Sequence, residues 1–204
     1  MAGVTQTAPR EDTRARLIAA ARTVISRSGL QAARMEDIAA EAGVSRAAVY
    51  YHFNTKQDLA AALVDDIFRG LTATVRTALA EGPIEHVLRA AVEFFGSQVT
   101  LARLLIADMP TPVDPEHLIA RHRDELLELL RERLRADIDG GRIRHCDPQV
   151  AATAIAALMR VAPICLITGA VVDLDHLMTE LSDFVRRALA PDARGAESTE
   201  QGKG

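Results

Sequence analysis

The chain has 204 residues, 49% of them hydrophobic and 25% charged, which is enough apolar material for a sizeable core and too ordinary a charge content for wholesale disorder. Aromatic residues make up only 3%, with no Trp and two Tyr, so the residues that pack a pleated sheet are scarce and helices are favoured. The net charge of −4 argues on its face against nucleic acid, and two cysteines, Cys146 and Cys165, are too few for a disulfide framework or a zinc ribbon.

The ends, residues 1–11 and 191–204, are polar, contain Pro and Gly, and lack any period, so both read as flexible tails. Between them the pattern is helical throughout. Asp12 is placed to cap a first helix whose Leu17, Ile18, Ala21, Val24 and Ile25 share one face until Gly29 stops it. A short second helix runs from Met35 to Ala42, with Glu36 and Asp37 in its first turn, and Gly43 ends it. Ser45 caps a third helix to about Phe53, and a fourth runs from near Thr55 to about Ala80. Pro83 suits a first helical position, so a helix is expected from there to Phe95. Gly96-Ser97 interrupts it, and another covers Val99 to Asp108. The proline-rich stretch Met109–Pro115 reads as a loop, and Asp114 opens a charged helix to Asp139 with Leu127, Leu130, Leu134 and Ile138 on one side, closed by Gly140-Gly141. Asp147-Pro148 starts an apolar helix from Gln149 to Gly169, and the last helix, Asp173 to Ala190, carries Leu174, Leu177, Met178, Leu181, Phe184, Val185 and Ala188 at helical spacing. The expectation is therefore an all-α protein of about nine helices. The apolar run Val150–Val172 approaches membrane-spanning length, but Arg160 and Pro163 at its middle and the absence of flanking aromatics make it a buried bundle helix. The N-terminus lacks a basic-then-apolar secretory pattern, so a cytoplasmic location is expected.

The charge is unevenly distributed. Residues 1–56 hold eight Lys and Arg against five Asp and Glu, while residues 57–204 hold sixteen against twenty-three. That asymmetry suits a small nucleic-acid module on an acidic body. Within the basic quarter, Met35–Lys56 (MEDIAAEAGVSRAAVYYHFNTK) has the parts of a helix-turn-helix: small Ala39 where two helices touch, Gly43 at a turn needing positive φ, Val44 as an apolar plug and Ser45 as a cap. At about 100° per residue, Val49 and Phe53 share a face with Ser45, while Arg46, Ala47, Tyr50 and Tyr51 form the opposite face, free to enter a major groove. An ordinary helical hairpin with exposed tyrosines is the alternative. Two exposed aromatics out of only seven in the chain weigh against it.

Ser28-Gly29, then M-E-D-I-A-x-x-A-G-V-S, then V-Y-Y-H-F with Lys56 three residues after Phe53, resembles the DNA-binding signature of the TetR family of transcriptional regulators, over about Thr13–Leu63. The resemblance implies a three-helix DNA-binding domain over 12–56 and a larger helical ligand-binding and dimerisation domain over 57–190. It implies that Arg46–His52 is the recognition helix, with Arg46 and Ala47 at base edges, Tyr50 at backbone or a thymine methyl, and Tyr51 and His52 at phosphates. Ser45 and Thr55 are further candidate DNA contacts, and Lys56 with the amides of the fourth helix meets a phosphate. His52 as a packed histidine remains equally open. Two departures stand out: Ala33-Arg34 replaces a common hydroxyl before the second helix, where Arg34 restores a phosphate contact by charge, and Ala48 replaces a common Gly or Thr.

The same resemblance implies a homodimer through the last two helices, placing two readers about 34–36 Å apart on double-stranded DNA, and a small effector that shifts DNA affinity. A pocket walled mainly by aliphatic residues suits an apolar, acyl-like effector, with Phe68, Phe94, Phe95, Arg103, His122, Met159 and Arg160 as candidate contacts. Arg160 has three open roles: neutralising a ligand carboxylate, pairing across the dimer, or reaching solvent. Pro163 frees the carbonyl of Met159 and is expected to kink that helix. The histidines His86, His117, His122 and His145 lack metal-ligand spacing, and no nucleophile elbow, phosphate loop or carboxylate dyad is present. No cofactor, metal or enzymatic activity is therefore expected. An all-helical lipid or small-molecule carrier would explain the body but not residues 35–56, and a winged-helix regulator would need a β-hairpin where a long helix stands.

Overall fold

The computed structural model describes residues 8–108, 115–170 and 173–191, and within them nine α-helices and no strand. They are α1 (Ala8–Ala32), α2 (Met35–Ala42), α3 (Arg46–His52), α4 (Lys56–Glu81), α5 (His86–Asp108), α6 (Pro115–Asp139), α7 (Pro148–Leu158), α8 (Val161–Thr168) and α9 (Leu174–Leu189). None of the described helices is long and apolar enough to cross a membrane.

The total of nine matches the expectation, but the partition differs in two places. α5 runs unbroken through Gly96-Ser97, because Gly96 keeps helical geometry and the Ser97 hydroxyl folds back to donate to the Phe94 carbonyl at 2.6 Å. The expected apolar helix after Asp147 is instead two helices, broken at Met159–Arg160. Pro163 has no N–H to return to the Met159 carbonyl, and the ladder shifts there, with Arg160 N–H donating to Ala157 O at 3.1 Å. Two boundaries also move. α1 begins four residues ahead of Asp12 and passes Gly29, whose φ of 80° and ψ of 165° break the helix one turn before its end. Pro83 lies in a turn of i−3 bonds ahead of α5 rather than in the helix, with His86 N–H donating to its carbonyl at 3.0 Å. Residues 109–114 of the expected loop Met109–Pro115, and residues 1–7 and 192–204 of the two expected tails, lie outside the described residues, while Pro115 starts α6 and residues 8–11 belong to α1.

The chain divides into two compact units, one of Met1–Gly70 with Gln98–Ile119 and one of Leu71–Ser97 with Ala120–Gly204. In the first, Leu17, Ile25, Ile38, Val49, Leu59 and Leu63 are fully buried. Polar ties join its helices: Arg16 donates to the Ala42 carbonyl at the end of α2, and Arg22 of α1 pairs with Asp66 of α4 at 3.0 Å and also reaches Gln98 of α5. In the second unit Val75, Val87, Leu88, Leu130 and Leu134 are fully buried. There Asp137, only 3% exposed, accepts from Arg133 Nε at 2.9 Å and Arg142 Nε at 2.6 Å, which fastens the Gly140-Gly141 turn to α6.

Candidate nucleic-acid interface

The turn between α2 and α3 follows from residues 39–45. Gly43 adopts φ 64° and ψ 38°, a left-handed conformation that costs glycine no Cβ clash. Its N–H donates to Ala40 O at 3.1 Å and the Val44 N–H reaches back to Ala39 O at 3.0 Å, satisfying carbonyls that the end of α2 leaves open. Ser45 then takes an extended conformation, and its Oγ accepts from the Ala48 N–H at 3.2 Å, which starts α3. Arg34, at the cap position of α2, makes no side-chain cap bond, so the missing hydroxyl there has a structural consequence.

α3 buries Val49 completely, and Phe53 just beyond it is 4% exposed and carries the Arg14 guanidinium 5.4 Å above its ring. The opposite face is open: Arg46 and Ala47 are exposed, Tyr50 is 41% exposed and Tyr51 is 64% exposed. The Arg46 guanidinium lies 5.5 Å over the Tyr50 ring and pairs with Glu36 of α2 at 3.0 Å. The other Glu36 oxygen is 3.8 Å from Arg34 Nε. His52 is half-buried and meets the Tyr51 ring edge-on with centroids 5.2 Å apart, a geometry compatible with either of its open roles. The surface thus combines charge, phenolic hydroxyls and methyl groups, the chemistry that reads a major groove.

Thr55 and Lys56 are engaged locally. Thr55 and Asp58 form a reciprocal cap at the start of α4, each backbone N–H donating to the other's side chain at 3.0 Å. Lys56 Nζ donates to the carbonyls of Gln31 at 2.8 Å and Ala33 at 3.2 Å, so its charge lies at the C-terminal end of α1. Sequence reading missed the contact of Glu36 with Arg46. The two residues lie ten apart on different helices, so no periodicity couples them, and Glu36 showed only as an acid in a first turn.

Of the candidate effector residues, Phe68 is half-buried in the first unit, and the side chain of Arg103 lies outside the described residues. In the second unit Phe94 and Phe95 meet edge-to-face at 5.7 Å, and His122 and Met159 are buried at 4% and 3% exposure. Arg160 is exposed, with no ion-pair partner among the described residues. α9 buries Met178, Val185 and Leu189 but leaves Phe184 62% exposed, beside Val150 of α7 at 64%. Phe184, Val150, Ala154 and Leu158 line a groove of about 380 Å³, and Ile164 of α8 is also exposed.

Residues 17–63 match the family model of the bacterial regulatory proteins of the tetR family. Among curated proteins, the HTH-type transcriptional activator FasR of Mycolicibacterium smegmatis is 38% identical over 91 residues, covering 43% of this chain and 40% of that protein. The chain spans between about a quarter and about a half of the length of the curated relatives it matches. Among solved structures, a TetR-family transcriptional regulator from Pectobacterium atrosepticum superposes with a TM-score of 0.67 at 21% identity, covering 92% of this chain and 100% of that one. The regulator FadR of Bacillus subtilis, solved in complex with stearoyl-CoA, superposes with a TM-score of 0.63 at 19% identity, covering 84% and 96%.

Proposed function

We propose, from the premise that this chain carries the DNA-binding domain of a bacterial TetR-family regulator, that it is a cytoplasmic transcriptional repressor. It binds a two-fold symmetric operator as a homodimer and is released by a small, largely apolar effector. The reading head is residues 12–56 and the effector-binding and dimerising body is residues 57–190.

The observation that carries the reading is the open face of α3. A seven-residue helix is capped by Ser45 and anchored by Val49, and it leaves Arg46, Ala47, Tyr50 and Tyr51 outward. A helix so short contributes little stability of its own, so such a face is better explained by a partner than by folding. Arg46 reads a guanine edge, Tyr50 packs against a base or backbone, and Tyr51, His52 and Arg34 meet phosphates. Ser45, Thr55 and Lys56 complete the proposed DNA contacts, and Lys56 also braces the C-terminal end of α1. One such head is too small for tight specific binding, so two act together on successive major grooves. The exposed apolar residues of α7, α8 and α9 (Val150, Ile164, Phe184) support pairing through the last helices. An acyl-like effector is supported by the aliphatic character of the body and by the stearoyl-CoA bound to the FadR structure. Phe94, Phe95, His122 and Met159 of the second unit are its proposed contacts, and the further candidates Phe68 and Arg103 belong to the first unit. The exposed Arg160 is assigned to the dimer surface or to solvent.

Selection from a random-sequence duplex pool, followed by anisotropy titration of the selected duplex, tests the reading. Arg46→Ala and Tyr50→Ala are expected to weaken binding, Arg46→Ala by about 1–3 kcal/mol, or roughly five- to 150-fold. Full salt-dependent affinity in both variants would overturn it.

A further inference from the structure

We propose that Glu36 is a specificity-determining residue: it holds the Arg46 guanidinium on the Tyr50 ring and releases it only to a base edge that accepts as well as a carboxylate does. This inference rests on the reading of α3 as the base-reading helix. One carboxylate oxygen lies 3.0 Å from an Arg46 guanidinium nitrogen, the other lies 3.8 Å from Arg34, and the Arg46 guanidinium sits 5.5 Å from the Tyr50 centroid. Glu36 therefore stands between two cations on the face that approaches DNA. An arginine side chain has many rotamers, and a free one finds phosphates as readily as bases. Here a carboxylate and a ring select one arrangement. The contact uses a single guanidinium nitrogen, so donors remain for the paired acceptors of guanine.

Two consequences act in the same direction. On a wrong sequence, Arg46 stays on Glu36, and the carboxylate is brought close to the phosphates, which weakens binding. On the right sequence, the guanine edge replaces Glu36 as acceptor and the arginine arrives already oriented. Glu36→Gln keeps the size of the side chain but removes the charge, so Arg46 and Arg34 are free to meet phosphates. Affinity for unrelated duplex is expected to rise several-fold, with a salt slope steeper by about 1 for each freed cation that finds a phosphate and so by about 2 for both.

The test uses the full-length chain and the random-sequence duplex selection, comparing base preferences at every position for the parent, Arg46→Ala and Glu36→Gln. Arg46→Ala identifies the position that Arg46 reads. Glu36→Gln is expected to lower the preference at that position by at least about threefold and leave other positions unchanged. An undiminished preference at that position overturns the inference while leaving the recognition helix intact. An even loss at all positions also overturns it, because that marks a merely structural effect. A parent that selects no sequence refutes the recognition-helix reading, and the inference falls with it.

Discussion

Truncating Phe184 is expected to separate the two protomers of the proposed dimer without unfolding either. An aromatic side chain buries about 150–250 Å² when fully covered. Phe184 is 62% exposed in the single chain, so a partner subunit has roughly 120 Å² of it to cover. Alanine retains only a small part of that, leaving a loss of about 100 Å² per protomer, or about 2.5 kcal/mol at 25 cal/mol/Å². A two-fold interface counts the residue twice, giving an upper figure of about 5 kcal/mol. Association converts area to affinity incompletely, so Phe184→Ala is expected to raise the dimer dissociation constant by between about 30-fold and about several thousandfold. Analytical ultracentrifugation from nanomolar to micromolar concentration measures this directly. Far-UV circular dichroism should keep its helical amplitude, because the side chain lies outside the protomer's core and its removal opens no cavity. A dissociation constant within threefold of the parent's would refute the assignment of this face to the dimer.

Two further outcomes concern stability. Ser45→Ala removes the single side-chain bond that starts α3, at 3.2 Å from the Ala48 N–H, and is expected to cost about 1 kcal/mol in chemical denaturation. DNA affinity should fall with it, and a variant whose α3 is as stable as the parent's would show that the cap is dispensable. Asp137→Ala leaves the guanidinium groups of Arg133 and Arg142 without their shared, nearly buried acceptor. Both arginines retain some access to water, so the loss is expected near 2 kcal/mol rather than the larger cost of a fully enclosed pair. Urea titration reads it, and an unchanged midpoint would mean that the Gly140-Gly141 turn holds without this pair.

Much of the head was legible because its signals are local. α2 has the expected bounds, and Gly43 and Ser45 do what their residue types dictate: one adopts a left-handed conformation without strain, the other supplies a hydroxyl to an unpaired amide. Asp147 and Asp173 cap α7 and α9 for the same reason. The break ahead of Pro163 also follows from the chain alone, since proline has no N–H to return to Met159. Gly96 misled the reading because a glycine lowers helix propensity without forbidding the helix, and the rest of α5 outweighs it. The contacts that aim the site were not legible. The Lys56 ammonium lies on the carbonyls of Gln31 and Ala33, at the far end of α1, a contact that no local pattern announces. Glu36 looked like an ordinary first-turn acid, yet it grips Arg46.

The sequence by itself determined the helical class, the helix-turn-helix and its caps, and the outward face of α3, since each depends on bonds or periodicities spanning a few residues. Only the tertiary structure decided which charges meet across helices and which apolar residues of α7, α8 and α9 remain uncovered. The reason is geometric. A helical period assigns a residue to a face, but the neighbour of that face is set by the packing of segments far apart in the chain.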